Sequence, residues 1–318
     1  MRCFSRQRAD GWLPIGDYED LFSGSFNGNN HKISNLYISD SDGVDLGLFG
    51  YFDAGEISNL GLEDLNISGK LYLGGLVGEM DSGEITNCYT TGNIYELSGG
   101  GRIGGIVGGN WGGYITNSYS ETNIYAGSGD FYYGGLIGNN NGDVENCYAT
   151  GFVSGRSYVG GLIGANFGGS ITNSYATGDV NVLNTYADAG GGFIGDNEGT
   201  ISNSYSFGDV TRVTGSNTTF GGFTGYNGGT ITKSYSTGRV IYAGTTNPTN
   251  RGFSFDSVSN NNFWDTQTSL QATSGGGALG KTTAEMKTPS TYTDWDFITV
   301  WAIHPSKNNG YPYLRWQN

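Results

Sequence analysis

Asp179 in TGDV and Asp209 in FGDV hold the same place in a recurring tetrapeptide, and Arg239 in TGRV follows one copy later. Stacked in parallel strands, such positions lie about 4.8 Å apart. Two carboxylates at that spacing can share a cation such as Ca2+. They can also serve as acid and nucleophile of a retaining glycosidase, whose carboxyl groups sit about 5–5.5 Å apart. The plainer reading is a solvated pair whose repulsion Arg239 offsets. The equivalent earlier positions hold Phe152, Asn123 and Asn93, which make no acidic groove.

Other reactive types are sparse. His31 and His304 are far apart, and neither lies in an HExxH pattern, so a zinc peptidase centre is not encoded. Cys88 and Cys147 occupy one repeat position two copies apart, where other copies carry Ser118, Ser174, Ser204 and Ser234; Cys3 lies outside the repeat. Two rungs, about 9–10 Å, exceed the roughly 7 Å reach of a disulfide, so both are expected as reduced thiols. Thr86, Thr116, Thr172 and Thr232 form one outward column of the kind an ice-binding face uses, but Glu145 and Ser202 interrupt it.

Tyrosine is the more promising type. Segments of unequal length, 95–103, 125–133, 154–159, 181–189, 211–220 and 241–250, carry Tyr95, Tyr125, Tyr132, Tyr158, Tyr186 and Tyr242 among Ser, Asn and Gly. That mixture suits an adaptable recognition surface. The alternative is that these rings belong to strands and face the core.

The elements that position these residues follow from an internal period. GGLVG at 74–78 returns as GGIVG (104–108), GGLIG (134–138), GGLIG (160–164), GGFIG (191–195) and GGFTG (221–225), with GLFG at 47–50 before and RGFSF at 251–255 after. ITNCY at 85–89 and its copies follow in phase, and TGNI at 91–94 and its copies close each unit. Three short β-type segments per unit of about thirty residues predict a three-sided parallel β-helix of about eight turns, right-handed by analogy with other parallel β-helices. Stacking then predicts a core ladder (Leu76, Ile106, Leu136, Leu162, Phe193, Phe223), a tyrosine ladder (Tyr89 to Tyr235) and an asparagine ladder at a corner (Asn59 to Asn203). Glycine pairs mark bends or close backbone approach. The boundaries expected are an N-terminal cap at 1–31, repeats at 32–262 and an aromatic-rich C-terminal cap at 263–318, with a short Thr-capped helix near 282–287.

Composition agrees. Fifty-eight glycines, five prolines, 14% charged and 14% aromatic residues exclude collagen and disorder. A net charge of −14 opposes nucleic acid and anionic membranes as partners, and no apolar run reaches the length of a membrane span. No cofactor is expected, Ca2+ aside. Arg2, Arg6 and Arg8 precede no apolar run, so a signal peptide is not expected within this chain, and the chain is expected to be a fragment or mature form of something longer.

The GG-[LIF]-[IV]-G segment followed by ITNSYATGDV resembles the GLUG repeat of bacterial and archaeal surface proteins, which include regions of IgA-specific metallopeptidases and haemagglutinin-like adhesins. FSGSFNGNNHKISNLYI at 22–38 is similar to a segment that leads into such repeats, and FWDTQTS (263–269), GKTTAEMKT (280–288), WDF (295–297) and NGYPYLRW (309–316) to one that follows them. The resemblance implies a β-helix and an extracellular or cell-surface location. With the variable tyrosines it leads to an expected role as a non-catalytic adhesive or structural module binding glycan or protein, continuous with a larger protein. The alternatives are a polysaccharide lyase or hydrolase on a β-helix, and an ice-binding protein.

Overall fold

The computed structural model describes residues 11–125, 129, 131–183, 189–213, 219–243, 249–259 and 261–317. The chain coils into a parallel β-solenoid with three sheets. The turn beginning at Tyr132 shows the plan. Tyr132–Gly134 lies in one sheet, here sheet II; Ile137–Asn140 lies in sheet III; Asp143–Glu145, Tyr148–Ala149 and Val153–Gly155 all lie in the wide sheet I. From this turn on each has five short strands on three sides, whereas in earlier turns the sheet I strands run together, as in Tyr89–Glu96 and Tyr119–Tyr125; the expected GG segment is divided between sheets II and III, and the two later segments both lie in sheet I, the first of them divided at its asparagine.

The register is that of the motifs. Val107 pairs with Val77 and Ile137, and Ile124 with Ile94 and Val153. Sheets II and III each contain seven strands among the described residues, from Val44–Leu46 and Phe49–Phe52 to Phe220–Gly221 and Thr224–Asn227. The expected eighth turn, at RGFSF, adds no strand to sheets II and III; it keeps a bridge between Thr224 and Ser254, backbone bonds from Gly222, Phe223 and Thr224 to Arg251 and Phe253, and a strand paired in sheet I. The eighth copy also departs from the motif at its glycines. A Cβ on Gly104 would stand 2.1 Å from the Val107 carbonyl oxygen, and one on Gly105 would stand 2.3 Å from that of Gly135 in the next turn. The GG pair is thus a corner that admits no side chain, and Arg251 and Phe255 replace the first and last glycines of the eighth copy.

The interior is filled by the expected ladder, continued by Phe253, all at most 1% exposed. Phe193, Phe223 and Phe253 stack at 4.6 and 4.7 Å. Each such side chain contributes about 1.5–3 kcal/mol on burial. The corner asparagines Asn59, Asn87, Asn117, Asn146, Asn173 and Asn203 all have φ between 49° and 54°. Asn tolerates this left-handed conformation better than other side chains. Their amides bond between turns, Asn87 Nδ2 to Asn59 Oδ1 at 3.2 Å and Asn146 Nδ2 to Asn117 Oδ1 at 3.3 Å.

A second asparagine ladder lies two residues past each motif. Asn110, Asn140, Asn166, Asn197 and Asn227 form a chain of amide hydrogen bonds of 2.8–3.1 Å, the first four fully buried.

At the N-terminal end Phe22 stacks near Phe49 and Phe52, and Ser25–Ser34 pairs in parallel with Glu56–Gly69. At the other end Phe263–Asp265 and Leu279–Lys281 add two strands to sheet I. The helix Thr283–Met286 begins at Thr282, whose hydroxyl accepts from Glu285 N while the Glu285 carboxylate accepts from Thr282 N. The remaining tail does not close the end. It turns back along the outer face of sheet I and buries Tyr205 and Tyr235 beneath Trp295, Trp301 and Tyr311.

Candidate functional site

The repeat brings the candidate tyrosines into different columns. Tyr95 and Tyr125 end strands of sheet I, pair in register and stack at 5.0 Å, with Tyr95 37% exposed. Tyr132 and Tyr158 begin strands of sheet II and stack at 5.1 Å. Their neighbours Tyr133 and Val159 fill the core, so Tyr132 and Tyr158 point outward. The two pairs are the stems on either side of the variable segments. Tyr242 falls one position off the Tyr125 column, in register with Arg212, whose guanidinium carbon lies 5.4 Å from its ring. Tyr186 lies outside the described residues.

Asp179 and Asp209 are adjacent rungs, as the tetrapeptide demands. Asp179 Oδ1 accepts from Asp209 N at 2.9 Å. Asp209 Oδ1 accepts from Arg239 N at 2.8 Å and its Oδ2 takes the Arg239 guanidinium at 2.6–2.8 Å. Asn123 Oδ1 does the same for Phe152 N. The column is therefore a series of side-chain acceptors for the next turn's amide. No group of three His, Cys, Asp or Glu able to hold a metal occurs among the described residues. His31 and His304 are both exposed, the first on Ser25–Ser34 and the second in the tail.

Cys88 and Cys147 are buried free thiols with Ser118 between them. Cys88 N donates to Ser118 Oγ, and Cys147 N to Ser174 Oγ. Burial pushes the thiols up to about 11 and about 12.

The sequence reading did not anticipate a second set of groups around Tyr132. In sheet II the outward column is Asp45, Tyr72, Arg102, Tyr132 and Tyr158. Outward residues of sheet III converge on it: a Cβ at Gly109 would touch the Tyr72 ring at 3.2 Å. Arg102 donates to Tyr72 Oη at 2.9 Å and its guanidinium carbon lies 4.9, 5.3 and 5.6 Å from the Tyr72, Trp111 and Tyr132 rings. Phe167 stands edge-on to Tyr132 at 5.5 Å, and Trp111 Nε1 donates to Glu79. Trp111 and Phe167 directly follow the sheet III strands Val107–Asn110 and Ile163–Asn166, so the pattern GGxxGxN followed by an aromatic residue is the signal that marks them.

Residues 69–95, 129–154 and 155–181 match the GLUG motif. The chain carries GLUG repeats. Over 88 residues, 26% of the chain, it is 38% identical to halomucin of Haloquadratum walsbyi, of which this covers 1%. Over 53 residues, 16% of the chain, it is 43% identical to a protein of Evansella cellulosilytica named "Putative Gly-rich membrane protein", of which this covers 6%. The chain thus spans a small part of the length of these curated relatives. A solved structure described as that of a "putative immunoglobulin A1 protease" from Bacteroides ovatus aligns over 92% of the chain and 77% of its own, at 20% identity and a TM-score of 0.45. The matched GLUG turns include Tyr95, Tyr132 and Tyr158.

Proposed function

We propose that this GLUG solenoid is a non-catalytic, extracellular module of a larger surface protein, a rigid rod that holds glycan or protein at aromatic side chains on its loop stems. The observation that carries this reading is the register of the outward rings. Tyr95 with Tyr125, and Tyr132 with Tyr158, are fixed by parallel pairing on a packed core while the segments between them vary in length. A rigid base with variable connections is how solenoids present binding faces. The carboxylates of Asp179 and Asp209 serve backbone amides and Arg239, which supports a structural role for the pair. The names of the relatives, halomucin and a Gly-rich membrane protein, are consistent with a surface setting.

A glycan array paired with a reducing-sugar release assay tests the proposal. The expected result is retention of one glycan class without product formation. Turnover that Asp209→Asn abolishes would establish the rival reading, a polysaccharide-active enzyme.

A further inference from the structure

We propose that the uncovered stretch of the tyrosine ladder on sheet I, from Tyr148 back to Tyr89, docks a segment of a second protein that carries an indole, a carboxamide and a basic side chain. This is the chemistry with which the chain's own tail covers the stretch beyond it. The proposal rests on the binding-module reading above, takes its protein alternative, and adds a face outside the loop stems.

The tail shows what the ladder accepts. Stacking at 4.6–5.2 Å turns the ring faces towards one another. Each rung therefore offers outward only a ring edge and a hydroxyl, beside the backbone carbonyl of its asparagine corner. The tail uses all three. The Trp301 ring meets Tyr205 and Tyr235 at 48° and 53°, and Trp295 meets Tyr235 at 41°, inclined so that ring edges approach ring faces. Gln317 Nε2 donates to Tyr205 Oη at 2.8 Å, Asn308 Nδ2 to Tyr235 Oη at 3.0 Å, and Tyr235 Oη to the Pro312 carbonyl. Trp316 Nε1 donates to Asn173 O at 2.9 Å. From Tyr311 to Trp316 the tail runs along the rod towards the earlier turns, and the Trp316 ring stops 6.3 Å from that of Tyr148.

The next rungs repeat those groups with nothing on them. Tyr89, Tyr119 and Tyr148 are half-buried and stacked within 5° of parallel. Tyr89 Oη donates to Glu63, whereas the hydroxyls of Tyr119 and Tyr148 have no partner among the described residues. The carbonyls of Asn87 and Asn117, which hold the place of Asn173 O, accept no hydrogen bond among the described residues. The rungs are fixed by parallel pairing, so covering them costs little ordering of the sheet. The open stretch is continuous with the covered one and offers the same contacts at the same spacing.

Charge adds the basic side chain. Two residues past its tyrosine the open stretch carries Glu121, where the covered turns carry Thr177 and Phe207. Glu121 is exposed and lies close enough to act on the Tyr119 hydroxyl. Arginine or lysine on the partner meets this charge and favours encounter.

The test uses the peptide NNGYPYLRWQ, residues 308–317 of this chain, labelled with a fluorophore and titrated with the whole protein by anisotropy. The protein variants are Tyr119→Ala, Tyr119→Phe and Glu121→Gln, with Tyr226→Ala on sheet III as the control, and circular dichroism melts verify each fold. The expected result is saturable binding that Tyr119→Ala weakens about tenfold, the scale of a hot-spot residue. Tyr119→Phe and Glu121→Gln should each weaken it about threefold, Trp316→Ala in the peptide should abolish it, and Tyr226→Ala should leave it unchanged. If Tyr119→Ala fails to fold, Tyr119→Phe, which keeps the stacked ring, and Glu121→Gln decide the matter. Iodination of Tyr205 and Tyr235 should not rise when the peptide binds. A rise would mean that the peptide displaces the tail, and would overturn the open stretch as its site, as would binding that no Tyr119 or Glu121 variant weakens. Absence of peptide binding beside a glycan-array signal would overturn this docking track and leave the binding-module reading standing. Absence of both would overturn both.

Discussion

The ring of Tyr205 lies on that of Tyr175 at 4.9 Å and 2°, yet Tyr205 is buried and Tyr175 is half-exposed. They belong to one stack, running from Tyr89 to Tyr235 with ring centroids 4.6–5.2 Å apart. The tail ends above Tyr175, where Trp316 reaches within 5.9 Å of its ring and bonds Asn173 O through Nε1. Trp301, fully buried against Tyr205 and Tyr235, anchors this cover. Trp301→Ala should cost about 3–5 kcal/mol, measured by urea unfolding, and raise the accessibility of Tyr205 and Tyr235 to iodination.

In the core, Phe223 is stacked between Phe193 and Phe253. Phe223→Ala should cost roughly 3–5 kcal/mol, because the turns above and below are fixed by backbone pairing and cannot close the gap. A loss under 1 kcal/mol in chemical denaturation would contradict this ladder.

The cysteine column makes an unusual demand. In Ser118, Ser174, Ser204 and Ser234 the hydroxyl donates to the carbonyl two residues back at 2.8–2.9 Å. Cys147→Ser should therefore be tolerated within about 1 kcal/mol despite full burial, since the partners of a hydroxyl are already in place. With Cys3 replaced by Ser, the native protein should resist a thiol reagent and expose two thiols on denaturation. A crosslink between Cys88 and Cys147 would mean a wrong register.

Left-handed corners predict a second mutational contrast. Asn117 has φ of 49°. Asn117→Ala should cost about 1–2 kcal/mol for the conformation alone, and Asn117→Gly clearly less, as read from thermal midpoints.

Stability should change with pH in a direction opposite to that of most carboxylates. Asp45 is held up to about 7 by burial and by Glu79, and Asp196 to about 7 by burial. In the unfolded chain both release their protons near pH 4. Between about pH 4 and 7 the folded state binds more protons, so stability falls as pH rises through that window. Melting temperature should be higher at pH 5 than at pH 8, and Asp45→Asn with Asp196→Asn should flatten the slope. Below pH 4 the trend reverses, because Glu63, paired with Lys32 and Tyr89, is held low in the folded state.

Much of this architecture was legible because the motifs are positions in a ladder. Leu76 to Phe223, Tyr89 to Tyr235 and Asn59 to Asn203 recur at fixed offsets, and like residues at like offsets stack. The buried Asn110 ladder was not read, because GGN, GNN, GAN, GDN and GYN read as polar turns until the corner is seen to fold inward. The groups around Tyr132 were harder to foresee. They come from two sheets, and Asp45, Arg102 and Asn139 are single departures from the repeat, so periodicity hides them. The eighth copy, RGFSF, lacks two of the motif's glycines, and it adds no strand to sheets II and III.

The two asparagine ladders also have direction. In the buried one each Nδ2 donates to the next turn, from Asn110 to Asn140 and on to Asn227, which donates to Ser257 O. In the corner ladder the amide bonds that form run to the previous turn, Asn59 to Asn27, Asn87 to Asn59 and Asn146 to Asn117. Aligned amide dipoles add along a stack, as peptide dipoles do in a helix, so two opposed columns offset one another along the rod. The buried column nonetheless ends in an oxygen at one pole and a donor at the other. A copied turn inserted in frame meets a donor on one side and an acceptor on the other, whereas an inverted turn would meet like against like, so the rod can lengthen by whole units in one sense only.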